Sequence, residues 1–93
     1  MIQLVKETSA GVIGKRQWWS VGDFTALVAY GSEGCGISVS DADRRDITDT
    51  VAHQMNAMGT NVTTIPSIDC VMIRCSEAAL KAVLADIGKV LSA

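Results

Sequence analysis

Aromatic side chains are scarce in this sequence: two tryptophans, one tyrosine and one phenylalanine among 93 residues. Proline occurs once, at Pro66, and histidine once, at His53. A single imidazole excludes a histidine-rich metal site and leaves one general base of that type. No apolar run approaches the ~20 residues of a membrane-spanning helix. Charged residues make up 19% of the chain, ten acidic against eight basic, for a formal net charge of −2. That balance supplies no field to draw in nucleic acid or an anionic membrane, and neither is expected as a partner. No basic stretch followed by an apolar one marks a secretory signal at the N-terminus. The three cysteines, Cys35, Cys70 and Cys75, are odd in number and irregular in spacing, which argues against a disulfide framework. The expectation is a soluble, cytoplasmic protein with reduced thiols, a processed secreted form staying open.

What is present is a globular composition, 48% hydrophobic. The length fits one domain, residues 1–93, that buries roughly 60–65% of its unfolded surface, so that self-association would help it. Two stretches carry helix punctuation. From Asp41 to Met58, Ser40 reads as an N-cap, Asp43 as its capping-box partner and Gly59 as the C-terminal stop. Ile47, Val51, Met55 and Met58 make one apolar stripe, with the methionines as core filler. From Glu77 to Ile87, Ser76 reads as the cap, Leu80, Val83, Leu84 and Ile87 as the buried face, and Gly88 as the stop. Strands are expected at Phe24–Tyr30, central because both its faces are apolar, and at Asn61–Ile65 and Asp69–Cys75 around a turn at Pro66-Ser67. Further strands are expected at Ile2–Val5 and Arg16–Val21, with a short one at Val90-Leu91.

From Phe24 onward this order is that of a split βαβ unit. The fold class it implies is α+β, ferredoxin-like, with two helices on one face of an antiparallel sheet. Residues 23–93 form that core, and residues 1–22 are an added hairpin or arm.

Candidate chemistry is thin. The loop Gly31-Ser32-Glu33-Gly34-Cys35-Gly36 follows a strand, but it lacks the lysine of a P-loop, and Glu33 would repel a phosphate; a flexible connection is the default reading. Cys35 with His53 would make a nucleophile and base only if the fold joined them; otherwise Cys35 is a bystander thiol and His53 a helix-surface residue. Asp41, Asp43, Asp46 and Asp49 lie on the expected helix among Arg44 and Arg45, where capping and ion pairs account for them without a metal. No cofactor is implied. Lys15-Arg16-Gln17-Trp18-Trp19 joins charge to aromatics. Adjacent tryptophans on a strand face opposite ways, so one of Trp18 and Trp19 is core and the other is exposed or covered by a partner. With this charge balance a protein interface is favoured over single-stranded nucleic acid.

The segments "MNAMGTNV", "TTIPSIDCVMIRC" and "SEAALKAVLADIGKV" follow one another as helix, glycine, strand, turn, strand and serine-initiated helix. In this order, over about residues 24–93, the chain resembles the subtilisin-propeptide-like protease inhibitor family. The resemblance implies a ferredoxin-like inhibitor or intramolecular chaperone of a subtilisin-type serine protease. Its C-terminal tail, Val90, Leu91, Ser92 and Ala93, would lie extended in the protease cleft, with Ala93 next to the catalytic serine and Val90 in a hydrophobic subsite. The arm with Trp18 and Trp19 has no counterpart in that family, and "IGKV" replaces its aspartate-proline turn. The leading functional expectation is therefore a non-enzymatic protein-binding domain, such an inhibitor among the options. The alternatives are a module that self-associates through the Trp-containing strand Arg16–Val21, and a Cys35-dependent enzyme.

Overall fold

A computed structural model describes residues 2–9, 14–66 and 71–92. The chain begins with two successive hairpins. Strands β1 (Ile2–Ser9), β2 (Lys15–Val21), β3 (Phe24–Gly31) and β4 (Gly34–Ser40) pair antiparallel in sequence order. Gly22, with φ +63, sits in the tight turn from β2 to β3, a conformation that costs glycine little. Helix α1 (Thr48–Ala57), strands β5 (Thr63–Pro66) and β6 (Val71–Cys75) and helix α2 (Leu80–Ser92) follow. β6 inserts beside β4, which puts β5 on the far edge and gives the sheet order β1-β2-β3-β4-β6-β5.

The α+β class and the antiparallel sheet with two helices agree with the sequence, but the ferredoxin-like order does not appear. A strand, β4, intervenes between β3 and α1, and no strand follows α2. The segment read as a phosphate-loop candidate is a two-residue turn, Ser32-Glu33, leading into that strand. The glycines concealed a strict alternation: Cys35, Ile37 and Val39 are buried, while Gly36, Ser38 and Ser40 take the other face.

The first helix also starts later than its acidic run suggests. Asp41 is not part of a helix; its carboxylate accepts the backbone N–H groups of Asp43 and Arg45, both at 2.9 Å, and holds a turn in which Arg44 takes φ 65. Asp46, one residue before the N-cap Ile47, holds the first helical residue by accepting from the Thr48 N–H at 2.9 Å and the Thr48 hydroxyl at 2.6 Å, and no side chain caps the helix itself. At the other end Gly59, φ +92, closes α1 as its position suggested, with Thr60 N–H donating to the Met55 carbonyl at 3.0 Å and Gly59 N–H to that of Asn56 at 3.1 Å. Met58 lies beyond the last helical turn and is 58% exposed, so it is not core filler.

In α2 the glycine does not end the helix. Gly88 faces β1 and β2, where an added Cβ would make ordinary contacts of 3.6 Å with Val21 and 3.7 Å with Ile2. The helix runs on through Val90 and Leu91 to Ser92, whose hydroxyl donates to the Gly88 carbonyl at 2.7 Å.

Both helices bury onto the same face. Val21, Ala26, Val28, Cys35, Ile37, Val39 and Ile73 stand opposite one another in register and share it. Val51, Ala52 and Met55 of α1 and Leu80, Leu84, Ile87 and Val90 of α2 close over them. Among the described residues no helix is long and apolar enough to cross a membrane.

Candidate functional site

The opposite face of the sheet has no helix on it. In a one-sided antiparallel sheet the outward positions are ordinarily polar. Here the register aligns an apolar row instead. Trp18 of β2 pairs with Leu27 of β3, and Met72 of β6 pairs with Ile65 of β5, all four half-buried. Ser38 of β4 stands beside Leu27 between them. A second row, one pleat along, crosses every strand: Thr8, Arg16, Ala29, Gly36, Arg74 and Thr63. From Ala29 and Gly36 toward the β3–β4 turn runs a shallow furrow of about 400 Å³, lined also by Met72, Ile65, Arg74 and, at the turn, Glu33. A Cβ at Gly36 would meet the Met72 sulfur at 3.0 Å, so the methionine lies across the glycine.

Charge on this face is of one sign. Lys6, Arg16 and Arg74 lie on it, and Lys6 Nζ sits 5.0 Å from the centre of the Trp18 ring. No strand residue of this face carries a carboxylate, among the described residues. Glu33, on the turn at the rim, comes within 4.0 Å of Arg74, both largely exposed. In an acidic chain, cations are thus gathered beside an apolar row.

Trp19 takes the other face, as adjacent residues of a strand must. It packs against the core, and its indole N–H donates to Gln17 Oε1 at 3.1 Å. The same oxygen accepts from the Tyr30 hydroxyl at 2.7 Å, while Gln17 Nε2 donates to Glu7 at 2.6 Å. Lys15 completes this cluster, 3.9 Å from Glu7 and 4.4 Å above the Tyr30 ring. Gln17 is buried with its polar atoms satisfied, so the group reads as a clamp between β1, β2 and β3.

The remaining sequence candidates do not gather into a site. Cys35 is buried on β4 and His53 is exposed on α1. Cys35 stands directly opposite Cys75 on β6. Burial, then the Glu77 carboxylate, push the Cys35 thiol up, although Cys75 and Lys15 pull it down; burial and Cys35 push Cys75 up to about 11. A reactive cysteine needs the reverse shift. Cys70 and the Ser67 half of the expected turn lie outside the described residues. Asp41 is engaged in its turn and Asp46 with Thr48, and no group of three or more metal-binding side chains occurs among the described residues.

The C-terminal tail is helical where the resemblance implied an extended segment. Val90 is buried in the core, Leu91 is half-buried, Ser92 is bonded back to Gly88, and Ala93 lies outside the described residues. The strand expected to carry self-association, β2, is flanked on both sides by β1 and β3, so its backbone is not an edge. The edge strands are β5 and β1, the latter interrupted by a bulge between Leu4 and Lys6, with Val5 67% exposed. The open face was missed because its members are scattered over five strands, and only β4 in the right place brings Gly36 between Ala29 and Arg74.

No protein-family model, curated protein or solved structure matches the chain.

Proposed function

We propose that the chain is a non-enzymatic binding module and that a protein partner docks on the open face of its sheet. The observation that carries this reading is the row Trp18, Leu27, Met72 and Ile65, half-buried on the face that neither α1 nor α2 covers. Apolar side chains gathered on one uncovered face, here broken only by Ser38, mark interfaces, and a tryptophan flanked by arginine is the composition of an interface anchor. The shifts of Cys35 and Cys75 away from the thiolate support a non-enzymatic role. Inhibition of a subtilisin-type protease through Val90–Ala93 would require the last turn of α2 to unwind and expose Val90; docking on the sheet requires no unfolding.

The test is affinity capture by the tagged chain in the cells that make it, alongside the double variant Trp18→Ala, Leu27→Glu. The reading expects a defined protein retained by the parent and lost from the variant at equal loading, with the variant's circular dichroism unchanged. Loss of an anchor of this type weakens binding by about 30-fold or more. Retention of the same partner by the folded variant sinks the reading. So does inhibition of a subtilisin-type protease that disappears on deleting Val90–Ala93 and is untouched by the double variant.

A further inference from the structure

We infer that the occupant of the open face is an amphipathic helix with acidic flanks, laid across the strands. This rests on the docking reading above and adds the chemistry and pose of the partner. The argument starts from the backbone. Interior strands of the sheet spend their N–H and C=O groups on one another, so a segment lying on the face receives no main-chain hydrogen bonds from it. An extended peptide there would leave its own amides unpaired at the contact, whereas a helix brings its hydrogen bonds with it. Addition of an extended strand at an edge would solve that problem, but the long edge, β1, carries a bulge and Lys6, and the other, β5, has four residues and ends in Pro66, all features that deter pairing.

The rows give the pose. From Trp18 on β2 to Ile65 on β5 the apolar row crosses five neighbouring strands, about 19 Å at ~4.8 Å per strand, which is the length of roughly 13 helical residues. Arg16 and Arg74 stand three strand spacings apart in the parallel row, about 14 Å or some 9–10 residues of helix. A helix with its apolar stripe on Trp18, Leu27, Met72 and Ile65 therefore meets both arginines with two acidic side chains on one flank, nearly three turns apart, the one at Arg74 taking over from Glu33, whose 4.0 Å pair with that arginine is exposed and weak. The Ala29–Gly36 furrow between them lets the helix come close.

Two other occupants fit less well. A second copy docked face to face would bring two sets of Lys6, Arg16 and Arg74 together, with only Glu33 at the rims to offset them. It has no helix to offer either, since the apolar stripes of α1 and α2 are spent in its own core. Single-stranded nucleic acid would find one stacking aromatic, Trp18, in a row otherwise aliphatic.

The test uses the ¹⁵N-labelled full chain and two blocked peptides of roughly 18 residues, five turns, sharing one leucine stripe. One peptide is flanked by glutamate and the other by lysine, and oligothymidylate is the third probe. The expected result is that the glutamate peptide shifts the Trp18 indole and the Leu27, Gly36 and Arg74 amides, and leaves the Trp19 indole in place. The lysine peptide should bind about ten-fold more weakly, the worth of two partly shielded ion pairs. The double variant Arg16→Glu, Arg74→Glu should invert that preference, its Trp19 indole reporting an intact fold. Equal response to the two peptides overturns the acidic partner and leaves docking standing. Response to oligothymidylate alone overturns the protein class. No shift at Trp18 with any probe overturns the docking reading itself.

Discussion

Gln17 shows how one residue decides what a face of the sheet is for. It holds the Trp19 N–H and the Tyr30 hydroxyl with one oxygen and reaches Glu7 with its nitrogen. Truncation leaves two half-buried donors without their acceptor. Gln17→Ala should therefore cost about 1–3 kcal/mol in urea unfolding; a change within experimental error would mean that the clamp is not formed. The facing cysteines give a pH prediction. Cys75 is raised from an ordinary value of 9.0 to about 11 in the fold. The folded state thus holds its proton over a range in which the unfolded chain has released it, and this contribution is complete below pH 9 and lost as pH rises toward about 11. Unfolding midpoints from pH 7 to 10.5 should fall above pH 9 for the parent and fall less for Cys75→Ala. Parallel curves would contradict the shift. None of this pairing was readable in the sequence, where Cys35 and Cys75 lie forty positions apart and meet only through the register of β4 with β6.

At the scale of elements, local patterns were legible and their connections were not. Ile2–Val5, Arg16–Val21 and Phe24–Tyr30 announced strands by composition, and the stripes of both helices contain buried residues that alternate at helical spacing. β4 was obscured because glycine at 34 and 36 is the usual mark of a loop. Here the two glycines serve different ends. Gly34 takes φ +128 and lies where a Cβ would come 2.8 Å from the Cys75 carbonyl oxygen, a backbone atom that cannot swing aside. Gly34→Ala should cost about 2–4 kcal/mol through strain and the displaced strand. Gly36→Ala should cost clearly less, since it presses only on the flexible Met72 side chain. Equal losses in thermal unfolding would contradict this account of the hairpin. Gly88 misled in a different way: α2 runs straight through it to Ser92, because a single glycine lowers helix propensity without ending a helix whose apolar face is buried on both sides of it.

On the scale of the whole molecule, two helices seal one face of a six-stranded sheet and leave the other bare. The buried core cluster draws on the covered face, and docking on the other face expects its half-buried apolar row to add little to folding. That division of labour was legible only as the statement that one of two adjacent tryptophans would be spare; which one, and beside which cations, depended on long-range pairing. The direct measurement is the unfolding free energy of Trp18→Ala set against Trp19→Ala. The account predicts a loss of about 3 kcal/mol or more for Trp19→Ala, which strips packing and a hydrogen bond from the core side, and about 1 kcal/mol for Trp18→Ala, which removes a cross-strand neighbour on the open side. Equal losses, or a larger one at Trp18, would mean that the open face is part of what holds the fold together, and would contradict its role as a surface kept for a partner.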